Sequence, residues 1–85
     1  MAYVVEFTPR AARDFRALTP ECQRRMAPKI DALAHNPRPH GVEKIADDLY
    51  RIRAGDYRIL YEIRDRVLLV VVVRLGHRRE IYRRR

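Results

Sequence analysis

Between Val67 and Val73 no polar residue interrupts the chain, and valine fills most of the positions. The run is far shorter than the ~20 residues a membrane helix requires. β-Branched residues favour a strand. Apolarity at nearly every position from Val67 to Leu75 predicts a strand covered on both faces, and therefore central in a sheet. The segments before it complete a pattern. Leu49 to Arg53 predicts a short strand, Ala54-Gly55-Asp56 a turn, Tyr57 to Ile63 a second strand and Arg64-Asp65-Arg66 a second turn. Strands joined by short turns form an antiparallel meander. Gly76 is expected to break the third strand.

The N-terminal half reads differently. Residues 2–7 (AYVVEF) predict a strand. Thr8-Pro9 then marks a helix start, with Thr8 as N-cap and Pro9 in the first helical position. Ala11, Phe15 and Leu18 follow at helical spacing, and Thr19-Pro20 repeats the signal, so an αα-hairpin with a tight connection is expected. Cys22, Met26, Ile30 and Leu33 recur along the second helix. Pro28 removes a hydrogen bond there and crowds the Arg24 carbonyl, at ~3 kcal/mol, which predicts a kink or a helix broken in two. Asn36-Pro37 ends the helix, and residues 37–47 read as a loop. The expected fold class is α+β: an N-terminal strand, an αα-hairpin and a three-stranded antiparallel meander, with the helices packed on one sheet face. Phe15, Leu18, Met26, Ile30 and Leu33 are the helical core candidates.

At 85 residues the chain is one domain, 1–85, with one modest core. Its 19 Lys+Arg against 11 Asp+Glu give a net charge of +8, unevenly spread, with Arg78, Arg79, Arg83, Arg84 and Arg85 crowded at the end. Such a field favours a polyanion: RNA, DNA or an acidic protein segment. Arginine suits bidentate phosphate contacts. The lone Cys22 rules out an internal disulfide, fits a reducing cytoplasm and is expected to be a small buried hydrophobe. Glu6, Arg10 and Arg13 interrupt the opening residues, so neither a signal peptide nor a membrane segment is expected. His35, His40 and His77 lack ligand spacing with carboxylates or cysteines, so neither a metal site nor a cofactor is expected.

Strand alternation sorts the charges. Tyr50 and Ile52 share one face, with Arg51 and Arg53 on the other. Tyr57, Ile59, Tyr61 and Ile63 share a face, with Arg58, Leu60 and Glu62 opposite. The apolar sets should face the helices, leaving Arg51, Arg53 and Arg58 on the open side. Past Gly76, the residues His77, Arg78 and Tyr82 should reach the sheet rim. Pattern alone is read more plainly as a solvated face of long charged side chains. The same residues also form a plausible site for reactions at phosphate.

The stretch Leu49-Tyr50-Arg51-Ile52-Arg53-Ala54-Gly55-Asp56-Tyr57-Arg58-Ile59-Leu60-Tyr61-Glu62-Ile63 resembles the central segment of RelE-type toxins, and so does Val73-Arg74-Leu75-Gly76-His77-Arg78-Arg79-Glu80-Ile81-Tyr82. The opening from Tyr3 to Leu18 also fits. The resemblance covers essentially the whole chain and points to the RelE/ParE superfamily. It implies a toxin of a type II toxin–antitoxin module: a ribosome-dependent, metal-independent endoribonuclease (an mRNA interferase) that cuts messenger RNA. It also implies a cognate, RelB-like antitoxin whose acidic segment masks the site. The family's site residues carry over to Arg51, Arg53, Arg58, Arg78 and Tyr82, with His77 standing where many members place a basic residue or histidine.

In that reading Arg58 and Arg78 hold the phosphate oxygens, and Arg51, Arg53, Arg79 and Arg83 bind the RNA backbone. His77 transfers a proton, and Tyr82 either stacks on a base or donates a proton. One departure concerns the chemistry. The family's best-studied pattern has lysine at the positions of Arg51 and Arg53, and an arginine cannot serve as an ordinary base near neutrality. The rival branch, ParE, shares the fold but inhibits DNA gyrase by protein–protein contact. A DNA-binding or inactive module ranks last, since no helix shows a recognition-helix pattern.

Overall fold

A computed structural model describes residues 2–81, with the side chains of Glu80 and Ile81 outside that description. Along the chain run β1 (Val4–Phe7), α1 (Pro9–Arg16), α2 (Pro20–Ala32), β2 (Glu43–Lys44), β3 (Leu49–Ala54), β4 (Tyr57–Arg64), a 3-10 turn (Asp65–Val67), β5 (Leu69–His77) and α3 (Arg78–Ile81). One five-stranded sheet has the order β1-β5-β4-β3-β2. β1 lies parallel to β5, and the other pairs are antiparallel.

Both helix starts form as the two Thr-Pro pairs dictate. Thr8 Oγ1 accepts from the Ala11 N–H at 3.1 Å, and Thr19 Oγ1 from the Cys22 N–H at 3.2 Å, so each hydroxyl satisfies one orphan donor. α2 runs unbroken through Pro28. The expected break does not occur: Met26, Ile30 and Leu33 are buried on one side of the helix while Pro28 is exposed, and packing of that face holds the turn together. Phe15 and Leu18 lie against the core only partly buried, and Ala11 is fully buried instead.

The helices cover one face of the sheet. Beneath them lie Tyr50 and Ile52 of β3, Ile59, Tyr61 and Ile63 of β4, and Val70, Val72 and Leu75 of β5. β5 is interior, between β1 and β4, as its apolarity predicts. Its two faces are not equally covered, for Leu69 and Val71 on the open face are only half-buried. β5 also continues through Gly76 to His77, because Gly76 pairs with Arg58 and the Arg78 N–H carries on to the Asp56 carbonyl at 2.9 Å. The strand β2, inside the expected loop, adds a short rung opposite Tyr50 and Arg51. Cys22 is half-buried and its thiol donates to the Tyr57 hydroxyl at 3.4 Å, so it is a polar contact as well as a packing residue.

Two devices fix the frame around the site. Gly55 takes φ 64° at the first central position of the two-residue β3–β4 turn, the left-handed position that glycine fills without strain. At the other end of the sheet, Arg38 forks onto Asp65 at 3.2 and 2.9 Å and lies 5.2 Å over the Tyr50 ring, tying the loop after α2 to the β4–β5 turn. Tyr61, buried in the core, donates its hydroxyl to the Pro37 carbonyl at 2.7 Å, so its polar atom is satisfied.

Pro28→Ala restores the missing donor at an exposed position of α2. Stability should rise by ~1–3 kcal/mol, the lower end reflecting the looser unfolded chain. A urea unfolding curve with unchanged or lower stability would contradict this account of α2.

Candidate functional site

The β3–β4 register gathers the arginines. Arg53 stands directly opposite Arg58, Arg51 pairs with Leu60, and Gly76 of β5 flanks Arg58 on its other side. Ile52, Ile59 and Leu75 form the adjoining rung and are buried under the helices, so alternation puts Arg51, Arg53 and Arg58 on the opposite, open face. Like charges directly opposite in a hairpin destabilise it by ~0.2–1 kcal/mol. The chain nonetheless places two guanidiniums there.

Arg58 is the one buried charged side chain among the described residues, at 7% exposure. Its Nη1 donates to the Gly55 carbonyl at 3.3 Å and the Tyr57 carbonyl at 3.2 Å. It has no carboxylate partner among the described residues. A buried cation held by neutral carbonyls alone is costly, and an anion arriving beside it recovers part of that cost. Arg51 is placed differently: its Nε donates to Glu43 Oε1 at 2.8 Å, and its Nη2 ion-pairs with the same oxygen. The Arg51 hydrogen bond, then the charges of Arg51, Arg53 and Arg58, hold the Glu43 carboxyl below the usual carboxylate range. Glu43 thus moderates a field that would otherwise be wholly positive. Sequence reading missed it, because a strand of only two residues leaves no periodicity to detect.

Arg78 begins α3, and its backbone N–H donates to the Asp56 carbonyl, two residues from Arg58. Its backbone therefore lies at the rim beside the Arg53–Arg58 pair. Arg79 follows, exposed. His77 is brought elsewhere. It pairs with Tyr57 across the strands, its ring 5.7 Å from the Tyr57 ring in an edge-on contact. Both rings border a crevice with Leu18, Thr19 and Asp14 on the helix side. The His77 Nδ1 accepts from the Arg79 N–H at 3.2 Å. The expected meeting of His77 with Arg58 is therefore not formed. The cause is a bulge in β5: Leu60 pairs with Arg74 but Tyr61 with Val72, so Val73 is extra and every residue after it changes face. Tyr82 and Arg83, also expected at the site, lie outside the described residues.

The described residues hold no group of His, Cys, Asp and Glu suited to a metal. What they assemble is a cationic face of Arg51, Arg53 and Arg58 with Glu43 beside it. Residues 5–82 match the family described as the ParE toxin of the type II toxin–antitoxin system, parDE. The chain is similar to Toxin RelG of Mycobacterium tuberculosis, 36% identical over 99% of this chain and 100% of that protein. It is similar to the mRNA interferase toxin RelE of Escherichia coli, 29% identical over 96% of this chain and 92% of that protein. Among solved structures, the toxin–antitoxin complex RelBE2 of Mycobacterium tuberculosis superposes with a TM-score of 0.81 at 28% identity, covering 91% of this chain and 92% of that one.

Because the folded Glu43 carboxyl titrates below its unfolded value, the Glu43–Arg51 pair contributes stability above ~pH 4.3 and loses it as pH falls through the lower folded value. Thermal melts should show Glu43→Gln less stable than the parent at neutral pH, with the gap closing in acid. A gap of equal size in acid would contradict the ion-pair account.

Proposed function

The chain belongs to the RelE/ParE superfamily of type II toxin–antitoxin toxins, and from that premise we propose that it is an endoribonuclease that cuts messenger RNA on the ribosome, in the cytoplasm, until an acidic segment of a RelB-like antitoxin covers its arginine face. The observation that carries this reading is the Arg53–Arg58 pair, with Arg58 buried and in no ion pair among the described residues.

RNA brings its own nucleophile. The 2′-oxygen attacks the adjacent phosphorus, the P–O5′ bond breaks, and the products are a 2′,3′-cyclic phosphate and a 5′-hydroxyl. Negative charge builds on the phosphoryl oxygens as the bond forms. Guanidiniums already fixed at that spot stabilise the transition state more than the ground state. Arg58, packed on its two carbonyls, is the preorganised one, and Arg78 joins it from the rim. Arg51 and Arg53 orient the backbone, with Arg79 and Arg83 extending the RNA contact. Nearby cations also favour the ionised 2′-oxygen, lowering the pKa of that hydroxyl. His77 faces the helix side, so the proton-transfer role is not assigned to it. Tyr82 remains the candidate for stacking on a base or donating a proton.

One observation favours a second reading: the matching family carries the ParE description. Under it the arginine face would dock on DNA gyrase and cut nothing.

Toeprinting on translating ribosomes should show cleavage by the wild type, and Arg58→Ala should lower its rate by ~10²–10³-fold. Arg58→Lys should recover only a fraction, since an ammonium lacks the planar fork. Undiminished cleavage by Arg58→Ala would remove Arg58 from the site. Absent cleavage with inhibited gyrase supercoiling would establish the second reading.

A further inference from the structure

A cleft between α2 and β3 is not used by the chemistry above. It consists of two hollows of about 160 and 390 Å3 that share Lys29 and Arg53 as walls. Arg25 completes the first and His40 the second, over a floor that includes Gly55, Leu33 and Ile52. Among the described residues, no Asp or Glu lines either hollow. Arg25, Lys29 and Arg53 enter no ion pair among the described residues, whereas Arg10, Arg38, Arg51, Arg64 and Arg74 all do. Other described cations, Arg13, Arg24 and Arg66 among them, also enter no ion pair, but Arg25, Lys29 and Arg53 are the ones that share the walls of this cleft.

Their placement is directional. Arg25 and Lys29 are one helical turn apart, ~6 Å along α2. The Arg25 guanidinium reaches over the β3–β4 turn, where a Cβ at Gly55 would lie 3.2 Å from its Nη2. β2 pairs with β3 only at Tyr50 and Arg51, so the edge beyond is left uncovered by β2. Arg53 belongs both to this cleft and to the rung opposite Arg58. It is the lip over which the open face continues into the cleft.

We propose that the α2–β3 cleft is a track for single-stranded RNA, in which Lys29 and Arg25 hold successive further phosphates of the strand whose scissile phosphate sits at the Arg53–Arg58 pair. The proposal rests on the ribonuclease reading and extends it from a single phosphate to a length of strand. Continuity through Arg53 lets one strand run from the Arg58 site into the cleft, and cations repeated one helical turn apart suit the regular phosphates of RNA better than the irregular carboxylates of an acidic peptide. The track makes affinity depend on RNA length: a dinucleotide fills the Arg58 site alone, and a longer oligonucleotide also engages α2.

The test is fluorescence anisotropy of the full chain with a short unstructured RNA carrying 2′-O-methyl riboses, which cannot be cut, across a salt series. Each phosphate contact to a single strand contributes ~0.7 to the log–log salt slope, so R25A/K29A should lower it by ~1.4 and weaken affinity. Lys29→Gln alone, at an exposed position, should lower it by ~0.7, and circular dichroism should show both variants folded. The same variants should bind a 2′-O-methyl dinucleotide as the parent does. If R25A/K29A leaves affinity and slope for the longer RNA unchanged while Arg58→Ala weakens them, the track is wrong and the cleavage site stands. If neither set affects RNA binding, both readings fall. If R25A/K29A keeps its RNA affinity but loses binding to a polyglutamate peptide, the cleft is a peptide site and the track is refuted.

Discussion

The site depends on the register of the β3–β4 hairpin. Ile52 and Ile59 sit opposite one another under the helices, and that rung obliges the neighbouring rung, Arg53 with Arg58, to face the other way. A slip of β3 by one residue would turn Arg51 and Arg53 under the helices and expose Tyr50 and Ile52. The hydrophobic effect thus aligns the charges, although no attraction exists between them. Gly55 supports the same register, since a two-residue turn with a left-handed first position sets which residues pair. Electrostatic strain in the arginine rung is sustained by apolar burial on the reverse face.

The edges of the sheet are managed with the same economy. Past Phe7, β1 ends and α1 takes over its edge of β5. Thr8 Oγ1 donates to the Val73 carbonyl at 3.2 Å, and Asp14 Oδ2 accepts from the Leu75 N–H at 3.1 Å and from Arg74 Nε at 2.8 Å. Side chains of a helix cap backbone groups that an open edge would present to another chain. They also brace the bulge at Val73. That bulge decides which face His77 takes, so the α1 contacts act on the site's composition from a distance.

Much of this was legible in the sequence because period-2 alternation is a short-range code. Tyr50, Ile52, Ile59, Tyr61 and Ile63 separate cleanly from Arg51, Arg53 and Arg58, and the structure keeps that sorting. The two Thr-Pro helix starts are equally local. What could not be read was non-local. The parallel pairing of β1 with β5 joins residues far apart in the chain. The bulge leaves no mark in a run of valines, and it turns His77 away from Arg58. Pro28 does not break α2 in two, because propensity weighs one helix alone, while Met26, Ile30 and Leu33 secure that helix from the sheet side. Arg25 and Lys29 look like ordinary surface charges until α2 is laid beside β3.

The central claim is that guanidiniums from separate strands meet at one phosphate. It is tested most directly by nuclear magnetic resonance of the arginine side chains, labelled with nitrogen-15, during titration with a 2′-O-methyl dinucleotide. The Nε signals of Arg53, Arg58 and Arg78 should shift together along one binding curve, while Arg10 and Arg64, remote in the fold, stay unmoved. Shifts of Arg58 without Arg53 and Arg78, or shifts spread evenly over all the arginines, would contradict it.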